Sequence, residues 1–460
     1  MIENFSLENV KNIHFIGIGG IGMSGLARLM KAMNFNIEGS DLKDTNLTQI
    51  LRKENIKVKI GHSPNNISKN TDLVVISSAI DNSNPELKVA VRMKIPIIKR
   101  AKLLSELCKN KKTIAITGTH GKTTTSSMIA TTMDYIGANS TNIVGGIVKN
   151  IDSNVKIGKS EYFVIEADES DGSFLYFSPL IACVTNIDND HLDFYKNMNN
   201  LKNTFALFLS KIPFYGRAII CADDKNLMEI VQKLNIPFYS YGFSRNADWQ
   251  ASNIKKEKTG ISFDVRYRGK KEQNIKLKIF GLHNVKNALC AYAAIKYIGF
   301  DGKKIARGLE NFDGVKRRIE LIGEYNRILF FDDYGHHPTE IKNTLNAIKN
   351  FYPKKRLIAI FQPHRYTRTK ILYKDFGNCF NEADLIYVMP IYPAGEKPIK
   401  GITSKIIIEA LNKNGKKAFS YPGSIDVAKN LKKDDILLTI GAGDVWKIGH
   451  EIKYKLENLY

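Results

Sequence analysis

No apolar run in these 460 residues approaches the ~20 that a membrane-spanning helix needs. The first residues carry Glu3 and Glu8 with no basic stretch leading into an apolar one, which argues against a secretory signal. Cysteine is scarce and odd in number: Cys108, Cys183, Cys221, Cys290 and Cys379 lie far apart, and no CxxC pair occurs. That excludes a simple disulfide framework and a cysteine metal knuckle, and it fits a reducing cytoplasm. Arginine-rich tracts, RNA-binding signatures, internal repeats and low-complexity segments are missing too. The formal net charge is nevertheless +22, from lysines spread along the whole chain, many beside Asn and Ile. Solvated lysine faces account for that pattern, and no nucleic-acid or membrane partner is expected from it. The charge does favour an acidic small-molecule substrate.

What is present suffices for a globular protein of about three domains, with 43% hydrophobic residues to fill their cores. The chain is organised around Thr113–Thr125, TIAITGTHGKTTT. The apolar Ile114, Ala115 and Ile116 predict a buried strand, and a helical pattern begins near Thr124. Between them stands a loop with the strand–loop–helix setting of a phosphate site. Gly118 and Gly121 allow close backbone approach to an anion, and loop amides and the helix N-terminus favour negative charge there. Lys122 can reach outer phosphates and the Thr123 hydroxyl can ligate magnesium. The common pattern G-x-x-x-x-G-K-[ST] is not met, because Ile116 stands at its first glycine.

Nearer the N-terminus, an apolar strand runs into Gly17, Gly19 and Gly22, which satisfy G-x-G-x-x-G. Asp41 follows about 20 residues later at the end of a second strand, Asn36–Ser40, as in a dinucleotide fingerprint. Alone, this predicts only that a diphosphate-bearing nucleotide sits at a helix start. Strands over Asp72–Ser77 and Pro96–Lys99 complete a doubly wound unit. The charged stretch Lys109–Lys112 reads as a linker. Further strands are predicted at Tyr162–Ala167, Ile181–Ile187 and Ala218–Ala222, and a helix over His283–Ile298 stopping at Gly299. A second boundary falls near Asp313–Arg318. Beyond it, the runs Ile328–Phe331, Leu357–Phe361, Leu385–Met389 and Ile436–Ile440 alternate with helical stretches, forming a third α/β unit.

Two acidic segments follow strand ends. Glu166–Phe174, EADESDGSF, suits a divalent cation as well as it suits a solvated acidic loop, and the residues alone leave both open. In Thr185–Tyr195, TNIDNDHLDFY, His191 beside Asp190 is a metal-ligand candidate, though a lone histidine is more often structural. Two nucleotide-like sites in different units rule out a simple dehydrogenase.

Taken in order, GTHGKTTT, EADESD, TNIDNDHLDFY, GLHNVKNA, RRIE, DDYGHHPTE and FQPHRYTRT resemble the Mur ligase family across essentially the whole chain. In that family GTHGKT replaces the common phosphate-loop pattern. The resemblance implies an N-terminal Rossmann-like unit (1–108), a central phosphate-loop ATPase-type α/β domain (109–313) and a C-terminal Rossmann-like α/β domain (314–460). It implies ATP with Mg2+, and as substrates UDP-N-acetylmuramate and L-alanine, handled by a cytoplasmic monomer or weak homodimer.

The residue roles come from the same resemblance. Gly118, Thr119, His120, Gly121, Lys122, Thr123 and Thr124 would hold the ATP phosphates, with Thr123, Glu166 and His191 as metal contacts. Asn284 and Asn287 would meet the nucleotide, Arg318 the phosphates and Asp333 the ribose. Gly19, Gly20 and Gly22 would take the UDP diphosphate, with Asp41, His62 and Ser78 around the uridine. His336, Arg365 and Arg368 would receive the amino acid. Lys122, Glu166, His191 and Arg318 are thus expected to carry the chemistry, and the first three to have little part in holding the fold. Read without the family, Asn284 and Asn287 are helix surface, Arg318 an exposed ion pair and Arg365 and Arg368 a solvated turn. Arg365 and Arg368, three apart, would share a face if their turn is helical. No position is assigned to a carbamylated lysine. A ligase that recycles a murein tripeptide is the nearest alternative, and FQPHRYTRT counts against it.

Overall fold

The computed structural model describes residues 7–459, so Glu3 lies outside the described residues. It holds three largely parallel sheets. The chain clusters into two compact units, one of residues up to Ser252 with 264–275 and 286–312, the other of 253–263, 276–285 and 313 onward. No described helix is long and apolar enough to cross a membrane.

The N-terminal sheet runs, in space, Lys57–Ile60, Asn36–Asp41, Asn12–Ile16, Leu73–Ile76, Ile97–Lys99, all parallel. Its order reverses beside Asn12–Ile16, and in open parallel sheets ligands bind outside the carboxyl ends at such a point. Ile13, Phe15 and Ile16 are fully buried, which is why apolar residues prevail here, with His14 buried among them. Lys57–Ile60 is a strand the sequence reading passed over. It is an edge strand, mostly exposed, and its KVKI carries too little apolar signal.

The central sheet has ten strands, with Lys112–Thr117 between Ile181–Val184 and Tyr162–Glu166. The predicted strands are present. The sequence reading missed the hairpin Thr141–Val148/Ser153–Lys156 and the run of strands from Phe238 to Leu277. Lysines and glutamates interrupt the apolar pattern of two of these, Trp249–Glu257 and Lys270–Leu277, where one face is solvated. The helix after the glycine loop, Lys122–Tyr135, starts two residues earlier than its pattern suggested and is buried from Thr125 to Met133. Its Thr132 abuts Gly308 of the helix Gly302–Glu310, where a Cβ would come within 2.8 Å of the threonine methyl. Glycine permits that close approach.

In the C-terminal sheet the order is Glu320–Tyr325, Ile328–Asp333, Ile436–Ile440, Leu357–Phe361, Leu385–Val388, Ala418–Ser420. The first two form a hairpin that turns at Asn326 and Arg327, both with positive φ (46° and 62°). A primed turn has that geometry, and it matches the strand twist. The remaining pairs are parallel. Alternate residues of Ile328–Asp333 face two different cores, Phe331 among Leu345, Phe361 and Leu438, and Phe330 among Ile358, Leu437 and Ile452. Helices therefore cover both faces.

Candidate nucleotide and substrate sites

The loop after Lys112–Thr117 turns through Gly118 (φ 121°) and Gly121 (φ 84°). Both glycines are also pressed by their own chain. A Cβ on Gly118 would lie 2.3 Å from Thr185 Oγ1, and one on Gly121 2.8 Å from Asn287 Oδ1. The second motif clamps the first. Asn186 accepts from the Thr119 amide (3.0 Å) and the His120 amide (2.9 Å), and Thr185 Oγ1 donates to His120 O at 2.6 Å. Thr119 Oγ1 accepts from Asp188 N at 2.9 Å, and the His120 ring meets the Asp188 carboxylate at 3.0 Å. This corrects part of the sequence reading: the amides of Thr119 and His120 serve the loop's own shape. Asn287 lies against the glycine turn at Gly121.

Lys122 opens the helix and folds back over the loop. Its Nζ donates to Gly118 O (2.7 Å), Thr119 O (3.3 Å) and Glu169 Oε1 (2.8 Å). Burial pulls the ammonium's pKa down, but the Glu169, Asp168 and Glu166 carboxylates outweigh it and hold the pKa above the usual lysine value. The Glu169 side chain is wholly buried. Burial pushes its carboxyl up to about 7, Lys122 pulling against it and Asp168 adding to it. Glu169 is therefore a carboxyl poised near neutrality, and nothing in EADESD sets it apart from its neighbours.

Glu166 ends its strand beside Ile116 of the loop's strand. Its Oε1 accepts from the Thr123 hydroxyl at 3.2 Å and its Oε2 from the Gly145 amide at 2.9 Å. A Cβ on Gly145 would fall 2.5 Å from that carboxylate, so only glycine fits there. His191, at φ 58°, places Nε2 3.6 Å from Glu169 Oε1 and 3.7 Å from Asp190 Oδ2. Thr123 and Glu166 thus form a pair of hard oxygen donors, while His191 faces the neighbouring carboxylates.

In the N-terminal sheet, Gly17 (φ 82°) makes the turn and Gly19 donates its amide to Asp41 Oδ2 at 2.8 Å. A Cβ on Gly19 would meet that carboxylate at 2.9 Å. Asp41, expected beside a uridine, thus also braces the glycine turn. A Cβ on Gly22 would lie 3.0 Å from Arg100 Nη1, so a guanidinium that sequence reasoning did not single out stands at the helix start. His62 contacts Ser40 Oγ (3.0 Å) and Glu86 Oε1 (3.3 Å), and Ser78 is exposed.

The C-terminal unit carries its own cluster. Of the two arginines in RRIE, Arg317 is a structural pin, bonded to Asp332 Oδ2 (3.0 Å) and Gly441 O (2.6 Å). Arg318 is looser, 3.7 Å from Glu340 Oε1 and over the Tyr334 ring at 5.3 Å. Asp333 spends both oxygens on the amides of Ile319 (2.8 Å) and Gly335 (2.7 Å), and burial raises its pKa to about 6. Asn284 bonds Phe280 O at 2.9 Å. His336, held by Tyr334 O at 3.1 Å, lies 5.7 Å from the ring of His364, which stacks on Tyr392. Burial, with His336, Arg368 and Arg365 beyond it, pushes His364 down to about 3, so its ring is neutral. Its Nδ1 can then accept from Arg368 Nη1 at 3.4 Å. Arg365 and Arg368 do not share a helical face. The helix Tyr366–Cys379 begins after Arg365, which caps it at φ 70° with its amide on Tyr392 O (2.8 Å) and its side chain exposed.

Three family models match the chain in succession: "Mur ligase family, catalytic domain" over residues 12–112, "Mur ligase middle domain" over 116–295 and "Mur ligase, glutamate ligase domain" over 317–443. Among similar proteins is a UDP-N-acetylmuramate–L-alanine ligase of Endomicrobium trichonymphae, 48% identical over 96% of this chain and 98% of the relative. A protein of the same name from Geobacter sp. (strain M21) is 43% identical over 97% and 98%. A solved UDP-N-acetylmuramate–alanine ligase from Thermotoga maritima superposes with a TM-score of 0.84 at 28% identity, covering 98% of this chain and all of that one.

Proposed function

The chain belongs to the Mur ligase family, and on that footing we infer that it joins L-alanine to the lactyl carboxylate of UDP-N-acetylmuramate with cleavage of ATP to ADP and phosphate. It thereby acts in peptidoglycan precursor synthesis. The likeness that carries the inference is the 48% identity, sustained over nearly the full length of both chains, to a relative so named.

The residues fit the chemistry. A carboxylate is a poor acyl donor to an amine, so one lactyl oxygen attacks the γ-phosphorus of ATP, ADP leaves, and an acyl phosphate forms. The alanine amine adds to that carbonyl carbon, the tetrahedral intermediate expels phosphate, and the amine proton is lost to give the amide. Lys122 would exchange its loop carbonyls for phosphoryl oxygens, and Arg318 would bring a second positive charge. Thr123 and Glu166, oxygen donors 3.2 Å apart, suit Mg2+, with His191 as a further contact. Bound there, the ion would neutralise phosphoryl charge. Asn284, Asn287 and Asp333 are assigned to the adenosine, and Gly19, Gly20, Gly22, Asp41, His62 and Ser78 to the UDP end. His336, Arg365 and Arg368 are assigned to the amino acid, whose carboxylate a guanidinium can grip in bidentate fashion. Domain limits at 108/109 and 313/314, a cytoplasmic location and a monomer or weak dimer without nucleic acid or membrane complete the reading.

The test offers purified protein ATP, magnesium and UDP-N-acetylmuramate with single amino acids, the murein tripeptide or DNA, and records ADP release. L-Alanine should give the greatest kcat/KM. Turnover with the tripeptide alone would replace this reading by that of a murein peptide ligase, a class whose member from Psychrobacter arcticus superposes with a TM-score of 0.74.

A further inference from the structure

We propose that Glu86 is a positioning residue that fixes the proton of His62 on Nδ1 and so makes Nε2 an acceptor for the imide N–H of the substrate's uracil. The inference rests on the reading that the N-terminal sheet takes the UDP end. Glu86 lies in the first turn of the helix Pro85–Arg92 with its side chain fully buried. A buried carboxylate persists only when surrounded by donors, and here His14 Nε2 (2.9 Å), Ser40 Oγ (2.7 Å), Asn66 Nδ2 (2.7 Å), Ser63 N (3.2 Å) and His62 Nδ1 (3.3 Å) converge on it. Burial alone would push the carboxyl up, but the bonds from His14, Asn66 and Ser40 prevail and hold it at about 2.

An ionised carboxylate has no proton to give, so Nδ1 of His62 must be the N–H. Ser40 reinforces this. Its hydroxyl proton goes to Glu86 Oε2, which leaves its oxygen to accept from Nδ1 at 3.0 Å. In the imidazole form with that proton on Nδ1 the lone pair lies on Nε2, for which no partner exists among the described residues. His62 follows the strand Lys57–Ile60, and the Ser40 it touches precedes Asp41, which braces the Gly19 amide. Nε2 therefore belongs to the carboxyl edge of the sheet, where a ligand is expected. The uracil N3–H is that base's obligatory donor, whereas cytosine presents an acceptor at the same atom. A fixed acceptor opposite N3 admits the first and repels the second.

The experiment uses the full chain with 15N-labelled histidine. Long-range proton–nitrogen spectra should show His62 protonated on Nδ1 and bare on Nε2, with Nε2 shifting when UDP is added. Calorimetric titrations then compare UDP with CDP. The wild type should prefer UDP, and Glu86→Gln should lose about 10-fold of that preference while ATP affinity stays unchanged. Glu86→Asp, which keeps the carboxylate, should restore most of it, and His62→Asn should lose it as Glu86→Gln does, whether or not Glu86→Gln folds. A wild-type His62 protonated on Nε2, or an unchanged UDP/CDP ratio in His62→Asn, would overturn the proposal. Failure of the wild type to bind UDP at all would instead overturn the parent reading, a result that a shifted ratio cannot mimic.

Discussion

The two glycine turns of the larger unit look alike in sequence, an apolar strand breaking into glycines and then a helix, yet the structure arranges charged groups around them differently. At Gly19 Asp41 takes the amide while the Arg100 guanidinium stands against Gly22, and the buried Glu86 carboxylate is satisfied by neutral donors and His14. At Gly121 the helix opens on a half-buried lysine against carboxylates, and the loop's outer amides are tied to Asn186. Glycine spacing reports that backbone can come close to an anion. What surrounds the turn decides whether the anion is merely held or has its charge neutralised in a reaction.

The sharpest break in that contrast is Lys122→Ala. ADP formation should fall by more than about 1000-fold, the scale of about 4 kcal/mol of transition-state stabilisation, with UDP-sugar affinity intact. Sequence alone suggested that this residue contributes little to the fold. The buried pair with Glu169 says otherwise, because removing one partner strands a buried charge. Glu169 already sits near 7, so the variant escapes part of the penalty by protonating it at lower pH. Urea melts should therefore show a stability loss that grows as pH rises above neutrality. Lys122→Ala with Glu169→Gln should regain stability without regaining activity, and a pH-independent loss would contradict this account.

A smaller effect is expected away from both turns. Arg368→Ala should lower kcat/KM for L-alanine about 30- to 1000-fold, as loss of a charged hydrogen bond of roughly 2–4 kcal/mol implies, through a raised KM. Arg365→Lys should follow in direction with a lesser magnitude, since Arg365 is exposed outside the helix. Normal alanine kinetics with poor UDP-sugar binding would reassign the C-terminal unit. Smaller again, Arg100→Ala should weaken UDP-sugar binding about 10-fold and leave ATP affinity alone. An unchanged dissociation constant by calorimetry would remove Arg100 from the diphosphate.

Apolar strands flanked by glycines were legible because burial on both faces demands an unbroken run, as in Ile114–Ile116. The edge strand Lys57–Ile60 and the charged strands from Trp249 to Leu277 were not, since solvent on one side lets lysine stand where the pattern needs contrast. Among the side chains gathered at the second glycine loop, Lys122, Thr123 and Glu166 stand in motifs that the sequence singles out. Glu169 was not legible, because carboxylates in one loop are equivalent until a strand's register decides which faces Thr123 and which turns under Lys122. His364 and Glu86 escaped for a related reason. Each acts through a contact with a residue far away in sequence, Glu86 with His14 and Ser40, His364 with Tyr392 and His336.

The mildest test concerns the pH response of the N-terminal network. His14 is wholly buried between Glu86 (2.9 Å) and Glu38 (3.4 Å), and although burial lowers its pKa, the bonds to Glu38 and Glu86 raise it above 6.5 overall. A folded pKa above the unfolded one stabilises fully below 6.5, and the gain is lost as pH climbs through the raised value. Glu86 works in the other direction. Its folded pKa of about 2 lies below the ordinary 4.5, so its contribution is present above 4.5 and lost as pH falls through about 2. The network should thus be most stabilising between about 4.5 and 6.5. Chemical denaturation of His14→Gln at a series of pH values should show the wild type's loss of stability on the alkaline side flattened, by an amount of order 1 kcal/mol. The acid-side loss should shrink less, since Ser40 and Asn66 still donate to Glu86. An alkaline slope identical in wild type and variant would mean that His14 is neutral in the fold and that Glu86 is held ionised by its uncharged donors alone.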